Sequence, residues 1–430
     1  MAKETKRVAK GSAANAIRIP ITNVFCESDY TAQMLIGSQK TPANVIMDTG
    51  SSTLAVKPST YDAAKDSNKT PTTLAQEVLY GTGGWAGPVV NTSMVMGSGR
   101  NGVTLKNAPV AISSIQQPGN FGRNVDGILG LAYNALNTAY DFKTYIARNK
   151  IASGSTYPWI FPAKNFKTFA VQFRKLVTSQ AVPQTDVVPY FTELEQNGIT
   201  ADKFAFYTLR SWIKKSSTNA SSIAKDPMNN GYFIMGGGEE QTDLYTGDFV
   251  NVAVLHDLYY NTNLKAVQVD GCDPIAALPL QVQYRPYAIS NSIIDSGTSD
   301  LSLAKDVFEA ILASLQKLNP KFIKLIEQSN QLSNAGKAIA TSALNLSAWP
   351  NINFILSGEQ GQDVKLVCTP QTYWQTDFPA AGQASFQISG PLDAMNQSIL
   401  GLPLMNNYYC VFDRSLDSYG IIRFAPIKQP

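Results

Sequence analysis

The sequence predicts an all-β-dominated chain folded as two lobes related by a pseudo-twofold axis, with a central cleft. Three observations predict it. Short runs of strand formers alternate with Gly, Pro and Asn turns, leaving few long amphipathic stretches. The 430 residues exceed what one hydrophobic core holds, since single cores stop growing near ~250–300 residues. An internal repeat then divides the chain. Val45-Ile46-Met47-Asp48-Thr49-Gly50-Ser51 and Ser292-Ile293-Ile294-Asp295-Ser296-Gly297-Thr298 each set an aspartate between an apolar run and a glycine turn flanked by hydroxyls. Each is followed later by an apolar-apolar-Gly triplet, Ile128-Leu129-Gly130 and Ile399-Leu400-Gly401. Glycine there lets backbone pass beside the aspartate loop, where a Cβ would clash.

In chain order, residues 1–15 read as a flexible basic tail carrying Lys3, Lys6, Arg7 and Lys10. Residues 16–240 form the expected first lobe, with an insertion over about 137–183, and residues 241–430 the second. The boundary follows Gly236-Gly237-Gly238. Strands are expected over Tyr30 to Ile36, Val45 to Met47, Val89 to Met96, Val110 to Ile112, Tyr232 to Met235 and Tyr408 to Phe412. Lys305 to Leu318 has apolar residues at helical spacing with Asp306 near its start, and Phe322 to Gln328 continues as a second helix. Val188 to Gln196 is a third, ending before Asn197-Gly198.

Composition removes several function classes. A net charge of +3 without a long polybasic block argues against nucleic acid as partner. No apolar run approaches the ~18 residues of a membrane span. The charged start lacks the apolar segment of a secretory signal, which gives a cytoplasmic protein as the expectation, and a monomer is expected as well. Cys26, Cys272, Cys368 and Cys410 are scattered, with no C-x-x-C pair, and read as free buried thiols. His256 is the one histidine, so no His-rich metal site exists and a serine triad would need this residue. No G-x-S-x-G supplies the serine; His256 reads as a strand or rim residue. Gly97-Ser98-Gly99-Arg100-Asn101-Gly102 matches a dinucleotide fingerprint, but a strand-like run follows where a helix is needed, so it reads as a hairpin turn. Neither metal nor cofactor is expected.

The chemistry lies in the repeated aspartates. Two carboxylates face to face cannot both ionise easily, so one proton stays shared and the pair offers a base and an acid at one pH. Peptide hydrolysis through a water held between Asp48 and Asp295 needs just that. Thr49 and Ser296 would bond across the base of the two loops, and Ser51 and Thr298 would bond the outer carboxylate oxygens.

This pattern resembles the pepsin-like aspartic proteases over most of the chain. Asp48-Thr49-Gly50-Ser51-Ser52-Thr53-Leu54 matches the family's first motif nearly throughout. Val78-Leu79-Tyr80-Gly81-Thr82-Gly83 looks like the flap, a hairpin whose tyrosine closes over bound peptide. Val125-Asp126-Gly127-Ile128-Leu129-Gly130-Leu131-Ala132-Tyr133 is close to family sequence, and Tyr245-Thr246-Gly247 and Val269-Asp270-Gly271 fit the start of the second lobe. Ser398 to Gly401 and Tyr408 to Asp413 resemble the closing strands. The resemblance implies the bilobal pepsin-like acid protease fold and an endopeptidase with an acidic optimum, around pH ~4 by analogy with such a pair. It implies Asp48 and Asp295 as catalytic, supported by Thr49, Ser296, Gly50, Gly297, Ser51 and Thr298. Tyr80, Gly81, Thr82 and Asp300 become substrate-binding candidates. Peptides or unfolded proteins would be substrates and pepstatin-type compounds inhibitors.

Departures from the family pattern carry information too. Ala55 stands where a tryptophan usually hydrogen-bonds the flap tyrosine, and Trp85, within the flap, is placed to fill the space. Asp300 occupies a usually apolar position: a solvated rim carboxylate is the plainer reading, selection of a basic peptide residue the sharper one. In the insertion, Tyr157-Pro158-Trp159-Ile160-Phe161-Pro162 either lines the cleft or packs as a lobe extension, and packing is the favoured reading. The family's disulfide cysteines are absent, and Asp48 lies too near Met1 for a pro-segment, so no proteolytic activation is expected. Together these absences look like the bacterial pepsin homologues called shewasins. Two other readings stay open: a catalytically silent pepsin-fold binding or inhibitor protein, which usually loses an aspartate or the flap tyrosine, and a paired-acid glycosidase, which leaves the flap and the repeats unexplained.

Overall fold

The computed structural model describes residues 16–80, 83–97, 102–118, 121–122, 124–391, 396–416 and 419–430, with Tyr80 by its backbone alone. The basic tail, Gly81 and Thr82 lie outside these. The largest sheet has sixteen strands, and the strands between Asn261 and Leu400 form smaller sheets of their own. Towards one end of the largest sheet Ile17–Thr22, Asn230–Met235, Lys203–Tyr207, Tyr408–Asp413, Ile421–Pro426 and Val250–Ala253 lie side by side, all antiparallel. Early and late segments of the sequence therefore share one platform. Strand alternation splits its side chains between two cores. Phe204 and Phe206 enter the main core, whereas Ala205 and Tyr207 enter a smaller cluster on the opposite face with Tyr409 and Val411.

The repeat of sequence is a repeat of topology. Thr41–Asp48 runs parallel to Gly127–Gly130, which is antiparallel to Leu54–Val56; that strand is parallel to Val103–Ile112. In the second half Ser292–Ile294 runs parallel to Ser398–Leu400, which is antiparallel to Leu301–Ser302; that strand is parallel to Ile388–Ser389. Each apolar-apolar-Gly triplet is thus the strand threaded between the two arms of an aspartate loop. A Cβ on Gly130 would lie 2.4 Å from Ser52 N, and one on Gly401 2.3 Å from Thr298 O. The fold is the mostly-β, two-lobed one that the motifs imply.

All six expected strands form; the first begins at Thr31 and leaves Tyr30 outside, and the other five lie within longer segments. The helix Lys305–Leu318 buries Val307, Ala310, Ile311 and Leu315 on one face. Its successor runs Pro320–Ser333, starting earlier than its apolar pattern suggests, because Asn319 caps it by accepting from Lys321 N–H and proline suits a first turn. The third helix is Tyr190–Gln196, since Pro189 holds Val188 outside it.

The insertion holds a helix that the sequence reading did not anticipate, Phe166–Ser179. Asn165 caps it by accepting from Thr168 N–H at 2.9 Å, and Phe166, Phe169, Phe173 and Val177 share its buried face. Cap and spacing were both legible; the surrounding aromatic and proline residues masked them. These side chains pack with Phe142 and Ile146 and with Ala75 and Ala86 of the hairpin Thr70–Tyr80/Gly83–Met96. Trp159 and Phe161 join them, with Phe161 5.6 Å from Phe173 between ring centres. Of the two readings of Tyr157 to Pro162, packing is the one observed. The four cysteines are unpaired, and His256 is partly exposed beside Asp257 with its ring stacked on Tyr419. Val103–Ile112 is a strand antiparallel to Gly83–Met96, so the glycine-rich stretch before it opens no helix.

Phe173→Ala removes the ring around which the insertion's aromatic cluster closes. The expected outcome is a loss of about 3 kcal/mol of stability, read as a lower denaturant midpoint for the first lobe. An unchanged midpoint would mean that this cluster is not a core.

Candidate active site

Asp48 is the last residue of Thr41–Asp48, and Asp295 directly follows Ser292–Ile294, so each carboxylate leaves a strand whose end is wholly buried. The structure brings the two together, 6% and 7% exposed. Their donor sets match. Gly50 N–H donates to Asp48 Oδ1 at 2.8 Å and Ser51 Oγ to Oδ2 at 2.5 Å; Gly297 N–H donates to Asp295 Oδ1 at 2.8 Å and Thr298 Oγ1 to Oδ2 at 2.6 Å. Each glycine also lies against the other lobe's aspartate. A Cβ on Gly50 would sit 2.6 Å from Asp295 Oδ2, and one on Gly297 2.2 Å from Asp48 Oδ1.

Below the carboxylates the loops grip each other. Thr49 N–H donates to Ser296 Oγ (3.0 Å), and Ser296 N–H donates to Thr49 Oγ1 (2.8 Å). Each hydroxyl then donates across to a backbone carbonyl, Thr49 Oγ1 to Ile294 O (3.1 Å) and Ser296 Oγ to Met47 O (2.8 Å). All four bonds are buried and all join the two halves of the chain. Burial foremost, then the charge of Asp295, pushes the Asp48 carboxyl well above the usual carboxylate range, against the lowering by Ser51. The arrangement can hold one proton between two oxygens and activate a water beside them.

Other residues near the pair, Asp300 apart, were not singled out from the sequence. Ser299 Oγ donates to Asp29 Oδ1, a bond from the second aspartate loop to the entry of Thr31–Ile36. Loss of solvent, together with the charges of Asp295 and Asp300, raises Asp29 to about 7 despite that bond. Asp300 is not a freely solvated rim group. It is partly buried and accepts from the Trp212 indole N–H at 3.3 Å, and desolvation raises its carboxyl above the usual range. Trp212 is held in place by Phe378, 4.6 Å away between ring centres. Burial, and then the charges of Asp48 and Asp295, raises the Tyr259 hydroxyl as well. Asp29, Trp212 and Tyr259 carry no motif; they meet the second aspartate loop from distant segments through the fold. Tyr80's side chain, Gly81 and Thr82 lie outside the described residues, though the strands that flank them form the expected hairpin. Trp85 is buried in one cluster with Ala55, Ile46 and Ile128, and so does fill apolar space beside Ala55. Among the described residues no cluster of His, Cys, Asp and Glu is arranged to hold a metal.

The family model described as eukaryotic aspartyl protease matches residues 29–157 and 181–425. The break in that match contains the helix Phe166–Ser179. The chain is 25% identical over 411 residues to a beta-secretase of Strongylocentrotus purpuratus, covering 92% of this chain and 66% of that protein. It is 24% identical over 416 residues to pepsin-2B of Gadus morhua, covering 93% and 96%. With vacuolar protease A of Neurospora crassa it shares 22% identity over 420 residues, covering 94% and 80%. These relatives are eukaryotic and lend no support to the narrower bacterial resemblance.

The raised Asp29 carboxyl has a consequence for stability. Its folded pKa, about 7, exceeds its ordinary value of 3.8, so the folded protein binds the proton more tightly and loses stability as pH rises between these values. Asp29→Asn keeps an acceptor for Ser299 and removes the ionisation. Its unfolding midpoint should therefore fall less steeply from pH 4 to 7 than that of the wild type; parallel slopes would show that Asp29 ionises normally.

Proposed function

The chain belongs to the eukaryotic aspartyl protease family, a family of aspartic endopeptidases, and on that premise we propose that Asp48 and Asp295 cleave peptide bonds here through a water held between them. The observation that carries this reading is the matched pair of donor sets on two buried, adjoining carboxylates. Such a pair keeps one shared proton, and burial with the neighbouring charge favours Asp48 as its holder. In the proposed cycle Asp295, as carboxylate, takes a proton from water while the water oxygen attacks the peptide carbonyl carbon. Asp48 gives its proton to the carbonyl oxygen. The resulting diol collapses as the C–N bond breaks: Asp295 passes its proton to the leaving nitrogen, and a diol hydroxyl returns one to Asp48. One water is consumed and both carboxyl groups end as they began.

Peptides or unfolded proteins are the proposed substrates, with Tyr80, Gly81 and Thr82 closing over them from the hairpin tip. Pepstatin-type inhibitors should bind, their central hydroxyl taking the place of the attacking water. The cycle needs the shared proton, so activity should fall as pH rises through the pair's second ionisation, which places the optimum on the acid side. A cytoplasmic, monomeric existence has no support among the relatives, one of which is named for the vacuole.

Asp48→Ala and Asp295→Ala should each stay folded by circular dichroism and lose peptide cleavage by about 10³-fold or more, since one carboxylate cannot serve as both base and acid. Retained cleavage in either folded variant would remove the assignment. Tight pepstatin binding by a wild-type protein that cleaves no peptide at any pH would instead favour a catalytically silent peptide-binding protein.

A further inference from the structure

The hairpin Thr70–Tyr80/Gly83–Met96 and the loop after Asp48 are joined through one buried side chain. Asn137 is 2% exposed, and its Oδ1 accepts two hydrogen bonds, from Thr53 Oγ1 and from Gln76 Nε2, both at 2.8 Å. Thr53 lies five residues beyond Asp48, where its own carbonyl accepts from Gly130 N–H. Gln76 faces Gly87 across the hairpin, four residues before Tyr80. Asn137 itself is fixed by its backbone, which donates to Asn134 O and accepts from Val187 N–H. Gln76 has one further bond, to Thr138 O at 3.1 Å. On the apolar side of the same loop, Trp85 and Val89 of the hairpin share one cluster with Ala55, and Leu74 and Val78 of the hairpin pack against it.

We propose that Asn137 is a positioning residue for peptide cleavage: by accepting from Thr53 and Gln76 together it ties the hairpin to the loop that carries Asp48, and so sets how substrate is held over the pair. The proposal rests on the reading of Asp48 and Asp295 as the cleaving pair. Its physical basis is the cost of parting these groups. If the hairpin moves off the loop, either the Thr53 hydroxyl or the Gln76 amide loses its bond to Asn137 inside the protein, where water does not replace it. The tie therefore favours one hairpin position. A purely structural role for the same three residues would lower stability when any is removed and leave substrate binding alone.

The test uses Thr53→Val, which keeps the side chain's shape and deletes its donor, Asn137→Ala, which deletes the shared acceptor, the double variant, and Thr53→Ser as the conservative control. Steady-state peptide cleavage is measured beside amide hydrogen exchange over residues 70–96. Thr53→Val and Asn137→Ala should each raise KM about fivefold, the loss of one buried hydrogen bond, with kcat within about twofold because the donors on Asp48 and Asp295 remain. The double variant should be no worse than Asn137→Ala alone, since both break one tie. Exchange should quicken in the hairpin and not in the central sheet, and Thr53→Ser should restore both readouts. Lowered thermal stability with wild-type KM and wild-type hairpin exchange would overturn the proposal, and Thr53→Val decides it if Asn137→Ala does not fold. Should the wild type cleave nothing, the cleavage reading fails on its own, and hairpin exchange still reports whether the tie exists.

Discussion

The reciprocal bonding of Thr49 and Ser296 is the interaction on which the rest of the molecule depends. Two buried carboxylates repel each other and lose hydration, so nothing about Asp48 and Asp295 themselves draws the halves of the chain together. The opposing force comes from beneath them. Each hydroxyl accepts a backbone N–H of the other loop and donates to a carbonyl of the other strand, which satisfies both hydroxyls and two amides without water. Such a set cannot be partly made without leaving buried polar groups unpaired. The loops therefore meet in one geometry, and the carboxylates above them are set by it.

That geometry accounts for the chemistry available. With Gly50 and Gly297 pressed against the opposite carboxylates, the pair is confined from below, and Ser51 and Thr298 hold the far oxygens. The surroundings are acidic as well. Asp29 feels the charges of both Asp295 and Asp300 and accepts from Ser299, while Asp300 accepts from Trp212. Among the described residues no cation is a leading influence on these carboxyls, so raising the pH adds like charge next to the pair. The acid optimum proposed above would then have two supports, the proton the pair must share and the neutral state of its neighbours.

Much of this was legible in the sequence, and the limits of legibility have physical reasons. The aspartate loops, the grip residues and the two threaded strands are local motifs, repeated, and built from residue types whose use is restricted: glycine where backbone passes within 2.4 Å of a would-be Cβ, hydroxyls where a carboxylate needs a donor. The helix Lys305–Leu318 was legible for the same reason, its period being local. Asp29, Ser299, Trp212 and Asn137 were not. Each acts through a partner far along the chain, 270 positions away for Ser299 and Asp29 and 84 for Thr53 and Asn137, and nothing in its immediate sequence distinguishes it from a loop residue. Asp300 was noticed but misjudged, because its solvation depends on where Trp212 falls.

The hairpin over the site shows how one family departure leads to others. Ala55 cannot supply the indole that the family pattern leads one to expect, and the hairpin strand carries the bulk instead, with Trp85 wholly buried beside Ala55. An indole moved from loop to hairpin conserves volume but changes which element is anchored, since Trp85 now moves with the strand that it pins. The outer face is held as well. Phe166 of the inserted helix fills the space beside Gly84, and Arg174 reaches Glu77, whose side chain is 6% exposed, at 3.3 Å. Burial raises the Glu77 carboxyl, so this ion pair weakens on acidification while the apolar contacts of Phe166 and Trp85 do not. At the pH where the shared proton is in place, the hairpin is held by packing and by Asn137 more than by charge.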